Sequence, residues 1–352
     1  MKKICLFLLC LFSLVFFISC KSNNIVDFTI HTDLQAEYLT KDYGLITQYA
    51  KGTEELSIPK PIVLEWNESN DLKVDGMYNL YLTKGLFEDG VVYKTDKNSI
   101  EIYNLEINTV YSWKVIGNGN ETKIKRFRIY CLNGVRNLYI DGITNARDIG
   151  GYVTLNTTVK QGMIFRTSKF NDDESTNVLI SDKGIKALKE LGIKTELDLR
   201  DASKNENGGI TVSPLGEDVK YISISMRSGG NYLTLNKEVL KDVFNVLGDV
   251  DNYPIVIHCS IGTDRTGLIC FLVNAILGVS EKDLYVDYLF SNFGNIYGVR
   301  TPSAIKDYLK QIKPYGKDIQ SQAYNFLLAN GVLQEDLDTI IKIMKNKEEQ
   351  PE

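Results

Sequence analysis

The chain has 352 residues, enough for two domains of ordinary size, and its 43% hydrophobic and 24% charged content excludes a disordered or fibrous protein. Net charge is −5 at pH 7, and two of the lysines sit in the leading apolar stretch, so nucleic acid is not expected as a partner. With only two histidines, His31 and His258, a His-rich zinc site is excluded and a Ser-His-Asp or Cys-His triad is hard to assemble.

Lys2 and Lys3 precede an apolar run from Ile4 to Ile18 that is slightly short for a membrane span and ends Phe17-Ile18-Ser19-Cys20. A small residue directly before cysteine resembles the bacterial lipoprotein signal. The resemblance implies that residues 1–20 act as a signal and that Cys20 becomes acylated. The protein would then be exported and held on a bacterial cell membrane, in the periplasm or at the surface. Of six cysteines, Cys5, Cys10 and Cys20 lie in this region, leaving Cys131, Cys259 and Cys270. Three sparse cysteines in an oxidising compartment are no disulfide framework, and at least one thiol should stay free.

Residues 21–132 read as short alternating strands separated by turns. Pro61 to Trp66, Met77 to Leu82, Ile100 to Tyr103 and Tyr111 to Val115 alternate, and Asp75-Gly76, Asp89-Gly90 and Gly117 to Asn120 break them. An all-β sandwich is expected. Trp66 on an early strand, followed by Leu105 and Tyr111-x-Trp113-x-Val115, resembles a fibronectin type III domain. Both tryptophans are expected in the core. His31 belongs to no pattern.

From residue 133 to 352 helices and strands alternate, which predicts an α/β domain with a central, mostly parallel sheet flanked by helices. Ser181 caps a helix carrying Ile185, Leu188 and Leu191, closed by Gly192, and Ile193 to Leu199 follows as a strand. Val239 to Leu247 is a second helix. Ile255 to Ile257 is a short buried strand, and Arg265 to Leu277, apolar on every side, is a central helix with Cys270 in its packing. Ala323 to Leu328 and Leu337 to Met344 add helix near the end.

Between that strand and that helix lies His258-Cys259-Ser260-Ile261-Gly262-Thr263-Asp264-Arg265-Thr266-Gly267. In α/β folds ligands gather beyond strand C-termini, and a tight loop feeding a helix offers inward N–H groups to an anion. The same field favours a thiolate, and an arginine can hold two phosphate oxygens at once. A nucleophile and an anion cradle coincide, with no need for a metal or cofactor.

The segment resembles the Cys-x5-Arg-Thr/Ser loop of the protein tyrosine phosphatase superfamily. Asp264 directly before Arg265 resembles the bacterial tyrosine phosphatase family 3. Asn145-Ala146-Arg147-Asp148-Ile149-Gly150-Gly151, Phe165-Arg166-Thr167-Ser168, Asp198-Leu199-Arg200 and Asp287-Tyr288-Leu289 resemble further motifs of that family. The resemblance implies Cys259 as nucleophile, and Arg265 with the amides of Ser260, Ile261, Gly262 and Thr263 on the phosphate. It implies Thr266 as donor to the sulfur and Asp264 as general acid, with Asp201 in reserve. His258 is expected to brace the loop, while Arg147, Arg166 and Arg200 are either substrate contacts or salt-bridge formers. The implied substrate is a phosphotyrosyl protein or peptide, with a phosphoinositide or inositol phosphate as alternative and a non-catalytic binding module as the other. Many members carry lysine where this chain has Thr263. Loss of a positive charge at the rim, in an acidic chain, argues against highly phosphorylated inositols.

Overall fold

The computed structural model describes residues 25–131, 134–172 and 178–345. The leading apolar run and Cys20, with its expected acylation, lie outside the described residues. Among those described, no helix is long and apolar enough to cross a membrane.

The amino-terminal unit builds strands β1 (Val26–Phe28), β2 (Ile62–Glu65), β3 (Lys73–Val74), β4 (Met77–Lys84), β5 (Val91–Thr95), β6 (Ser99–Ile102), β7 (Thr109–Gly117), β8 (Asn120–Glu121) and β9 (Lys125–Ile129). Seven of them form one sheet along β1-β9-β7-β4-β3, with β5 on β4 and β8 on β7, while β2 and β6 pair separately. Alternation explains the layering: the inward residues Tyr78, Leu80 and Leu82 of β4 join Ile62, Leu64 and Ile102 in one core. Trp66 packs edge-on against both Tyr78 and Trp113 in that core.

One expectation needs correction. The stretch from 21 to 132 is not all β, because after β1 the chain leaves the strands and forms α1 (Asp33–Thr40) and a 3-10 turn (Tyr43–Gln48). Thr32 and Gln35 close a capping box at the start of α1. Tyr38, Leu39, Ile46 and Ala50 then bury themselves in the core of the second unit, and Tyr43 stacks on Tyr285 with ring centres 4.4 Å apart. A hydrophobic face that finds its partner in the other unit outweighs the strand character around it.

The second unit holds a six-stranded sheet in the order β10-β11-β12-β15-β13-β14: β10 (Arg136–Asn137), β11 (Arg147–Asp148), β12 (Ile164–Thr167), β13 (Thr195–Asp198), β14 (Lys220–Ser223) and β15 (Ile255–His258). The last four in spatial order are parallel, and β10 and β11 run antiparallel at one edge. Side chains split by period two: Ile255 and Ile257 of β15 enter the larger core and Val256 enters the smaller one on the opposite face. The smaller core is closed by α2 (Asp182–Glu190), whose Ser181 accepts from the Gly184 amide as expected of its cap. On the larger side lie α3 (Tyr232–Leu235), α4 (Leu240–Gly248), α5 (Asp264–Ile276), α6 (Glu281–Phe290), α7 (Ser303–Ile312), α8 (Ile319–Ala329) and α9 (Gln334–Met344). From Arg265 onward every residue of α5 is buried, which fits its all-round apolar sequence.

Candidate active site

β15 delivers the chain to His258 at the centre of the sheet, and α5 leaves from Asp264, so the loop between them spans very few residues. Gly262 makes that possible. Its φ is +68°, and a Cβ there would lie 2.2 Å from the Thr167 carbonyl oxygen. The loop carbonyls are held outward: Ser260 O accepts from the Lys169 amide at 3.3 Å and Ile261 O from Asn145 Nδ2 at 3.2 Å. Gly262 O and Thr263 O both accept from Arg166 Nη2, at 2.8 and 3.3 Å. In a trans peptide the N–H points opposite to the C=O, so the amides of Ile261, Gly262, Thr263 and Asp264 are left facing the hollow of the loop. Four converging donors at a helix N-terminus form an anion cradle.

Asp287 of α6 anchors the braces beneath this loop. Its carboxylate takes Arg147 Nε at 3.0 Å on one oxygen and Arg166 Nη1 at 2.5 Å on the other, all three groups being buried. Burial alone would raise the Asp287 carboxyl, but the two guanidinium groups outweigh it and hold the carboxyl below its ordinary value. Arg147 also donates to the Asp287 carbonyl and to Ser291 Oγ. Arg147 and Arg166 therefore act through the loop rather than on a substrate. Arg200 is likewise committed, to both Asp198 oxygens and to Asn171. His258 Nε2 donates to Glu196 Oε1, 2.8 Å away. Burial disfavours the charged ring, yet Asp198 and Glu196 outweigh it and raise the His258 pKa.

Cys259 is buried at the base of the hollow. Burial favours its neutral thiol. Against that, the Arg265 charge prevails with the help of neighbouring Thr266, and the thiol is held below its ordinary value. In contrast, Cys270 lies in the packing of α5, where burial pushes its thiol up to about 11. Arg265 is aimed by Glu206, a residue that the sequence reading missed. Its Nη1 donates to Glu206 Oε2 at 2.6 Å and its Nη2 to Ser260 Oγ at 3.1 Å. Glu206 also accepts from the Asp201 amide at 3.3 Å and Ser228 Oγ at 2.9 Å. It follows the Asp-Leu-Arg motif by only a few residues, but nothing local marks it as the partner of an arginine nearly sixty positions on.

The two acid candidates differ in setting. Asp264 receives Arg300 Nε and Nη2 on its two oxygens, each at 2.9 Å, and the Tyr288 hydroxyl at 3.2 Å. Its charge acts on Cys259 by raising the thiol. Asp201 is the N-cap of a 3-10 turn, accepting from the Ser203 amide and hydroxyl and from Ser225. Arg300 was not foreseen either. Contrary to expectation, Thr263 does not lie at the rim: its side chain is fully buried, accepts from Asn145 Nδ2 at 3.1 Å and donates to Ile261 O at 3.3 Å. A neutral residue that points into the protein says nothing about charge at the mouth.

A lowered cysteine, an arginine and an inward amide ring at a strand–loop–helix junction put a nucleophile beside a cradle that can hold a phosphate-sized anion. The sequence profile of the tyrosine phosphatase family matches residues 138–347, and the chain belongs to that family of phosphatase hydrolases. A Cupriavidus necator protein named as a tyrosine-protein phosphatase is 25% identical over 190 residues, 47% of this chain; the chain spans 66% of that relative's length. Among solved structures, Pseudomonas aeruginosa TpbA is 15% identical with a TM-score of 0.31, covering 49% of this chain and 93% of its own. The core catalytic domain of the Saccharomyces cerevisiae PP-IP phosphatase SIW14, solved with citrate, is 16% identical with a TM-score of 0.28, covering 46% and 96%.

Proposed function

We propose that this chain is a metal-independent phosphatase that hydrolyses phosphotyrosine in proteins or peptides through a phosphocysteine intermediate. The observation that carries the reading is the buried Cys259 thiol, lowered by Arg265 and Thr266, at the base of a loop whose carbonyls are all turned away. The Cys259 thiolate attacks phosphorus while the bond to the tyrosyl oxygen breaks, and that oxygen takes a proton from Asp264. Arg265 and the inward amides hold the three equatorial oxygens. A water then gives its proton to Asp264 and attacks phosphorus, the S–P bond breaks, and inorganic phosphate and the thiolate are released.

Arg300 already holds both Asp264 oxygens in the resting site, so it must release one of them for Asp264 to carry the proton, and it receives the carboxylate again after donation. Thr266 stabilises the sulfur as attacking and as leaving group. Two further parts of the proposal concern the amino-terminal region. We assign its strands to a fibronectin type III-like unit, supported by the facing sheets and the Trp66–Trp113 contact. Acylated Cys20 would attach the exported protein to a bacterial membrane, supported by the residues around it.

The test is phosphate release without added metal and with chelator. Substrates are a generic aryl phosphate, a phosphotyrosyl peptide, a phosphoseryl peptide, a phosphoinositide and inositol hexakisphosphate. Expected is turnover of the aryl phosphate and preference for phosphotyrosine, abolished in Cys259→Ser. Equal inactivity of intact and Cys259→Ser protein would favour the binding-module alternative, and preference for the inositol compounds would replace the substrate assignment.

A further inference from the structure

Beside the phosphate loop opens a cleft of about 600 Å³ that has Ser260 and Ile261 in its wall. That volume is in the range of ligand sites and exceeds what a phosphate group needs. Ile58, Tyr139, Ile143, Leu179 and Tyr297 supply apolar surface. Among the described residues, its charged ones are two carboxylates, Glu55 and Asp141, and one lysine, Lys169, which is ion-paired with Asp172. Asp141 is held below its ordinary value, chiefly by the Ser181 hydroxyl, so it is ionised. A second phosphate or an acidic side chain would meet like charge here, whereas an apolar one would not.

Tyr297 adds a second, independent observation. Its φ is +61°, a left-handed conformation that a bulky residue adopts at a cost, and the residue is 84% exposed at the cleft. The conformation is imposed from the amino-terminal unit: the Ile296 and Gly298 amides both donate to the Gly52 carbonyl at 3.0 Å, and the Leu56 amide donates to Phe293 O. Glu55 extends the same clamp by accepting from the Asn295 amide and the Thr144 hydroxyl. A strained aromatic is thus pinned, in the open, over an apolar hollow that borders the phosphate loop.

We propose that this cleft is the specificity subsite of the phosphatase and takes an apolar side chain lying within two positions of the phosphotyrosine in a peptide. Two extended residues span about 6–7 Å, which suits a hollow sharing a wall with the loop. The inference rests on the phosphotyrosine reading and refines its substrate class. It also gives residues 52–58 a part in recognition, since they supply Ile58 and hold Tyr297.

The test uses the full-length protein, its Tyr297→Ser and Ile58→Asp variants, and paired phosphotyrosyl peptides with leucine or glutamate beside the phosphotyrosine. Expected is a preference for the leucine peptide. Each variant should lower kcat/KM for that peptide about tenfold, equivalent to ~1.4 kcal/mol, while turnover of a small aryl phosphate stays unchanged. Calorimetric binding of both peptides to the Cys259→Ser protein, with and without each variant, reads the cleft separately from catalysis. If the aryl phosphate is not hydrolysed the phosphatase reading fails, and the binding data still decide the subsite. Equal binding of the two peptides overturns the subsite, as does an equal loss on peptide and aryl phosphate in Tyr297→Ser. Stronger dependence on Tyr297 for a phosphoinositide in phosphatidylcholine vesicles than for the peptides would overturn it in favour of a lipid.

Discussion

Replacing Glu206 with glutamine keeps the side-chain shape and one acceptor but removes the charge facing Arg265. The wild-type contact is 2.6 Å, and the Glu206 side chain is 23% exposed while Arg265 is almost buried. Burial alone would raise the Glu206 carboxyl, but Arg265 holds it below its ordinary value, so the charge is present at neutral pH. Two unit charges about 4 Å apart attract by about 4 kcal/mol at an effective dielectric constant of about 20. Retention of a neutral hydrogen bond and the partial exposure of Glu206 reduce the expected loss to about 1.4 kcal/mol, or a tenfold fall in kcat/KM. The assay is the pH dependence of kcat/KM on an aryl phosphate with a good leaving group, where proton donation matters little. Because the Arg265 charge is then less compensated, the Cys259 thiol should ionise more readily and the acidic limb should move to lower pH. A kcat/KM within twofold of wild type, or a limb that moves to higher pH, would refute the idea that Glu206 aims Arg265.

Three further outcomes are expected. Asp264→Asn should slow a substrate whose leaving phenol has a pKa near 10 about a hundredfold, and one with a good leaving group only severalfold; equal slowing would mean that Asp264 only organises the loop with Arg300 and Tyr288. Asp287→Asn leaves Arg147 and Arg166 buried without their shared counter-charge and should destabilise the fold by about 3–5 kcal/mol in urea unfolding, a loss under about 1 kcal/mol contradicting the account. His258 has a raised pKa in the folded protein, so its ion pairing contributes fully below about 6.5 and is lost as pH rises through the raised value; His258→Gln should therefore show a smaller loss of urea midpoint between pH 6 and 9 than wild type, and identical slopes would count against it.

What could be read from the sequence was what is contiguous along it. The loop from His258 to Gly267 carries its nucleophile, its arginine and its turn glycine within ten positions, and the periodicities of α2 and α4 and the unbroken apolar run of α5 are local signals. The partners of those residues are not. Glu206 reaches Arg265, Arg300 reaches Asp264, and Asp287 collects Arg147 and Arg166 only because separate strands, helices and loops converge around the end of β15. The buried position of Thr263 was also invisible, since loop curvature decides which side chains turn inward. In α1 a usable signal existed and went unread: Thr32 followed three residues later by Gln35 is a capping box. Its apolar face, however, has no partner nearby in sequence, and no periodicity reveals one in another unit.

That crossing has a consequence for how the molecule is made. During synthesis residues 33–50 emerge long before Tyr285 and Phe293, the rings on which Tyr43 and Tyr38 settle. The amino-terminal strands can pair early, yet the rings on which the excursion between β1 and β2 settles are not available until α6 and Phe293 have left the ribosome. Contacts so far apart along the chain are slow to form. The two units therefore cannot mature one after the other: the first to be born is completed by the last, and a chain that stalls before α6 leaves Tyr38, Leu39 and Ile46 uncovered for chaperones or proteases to find.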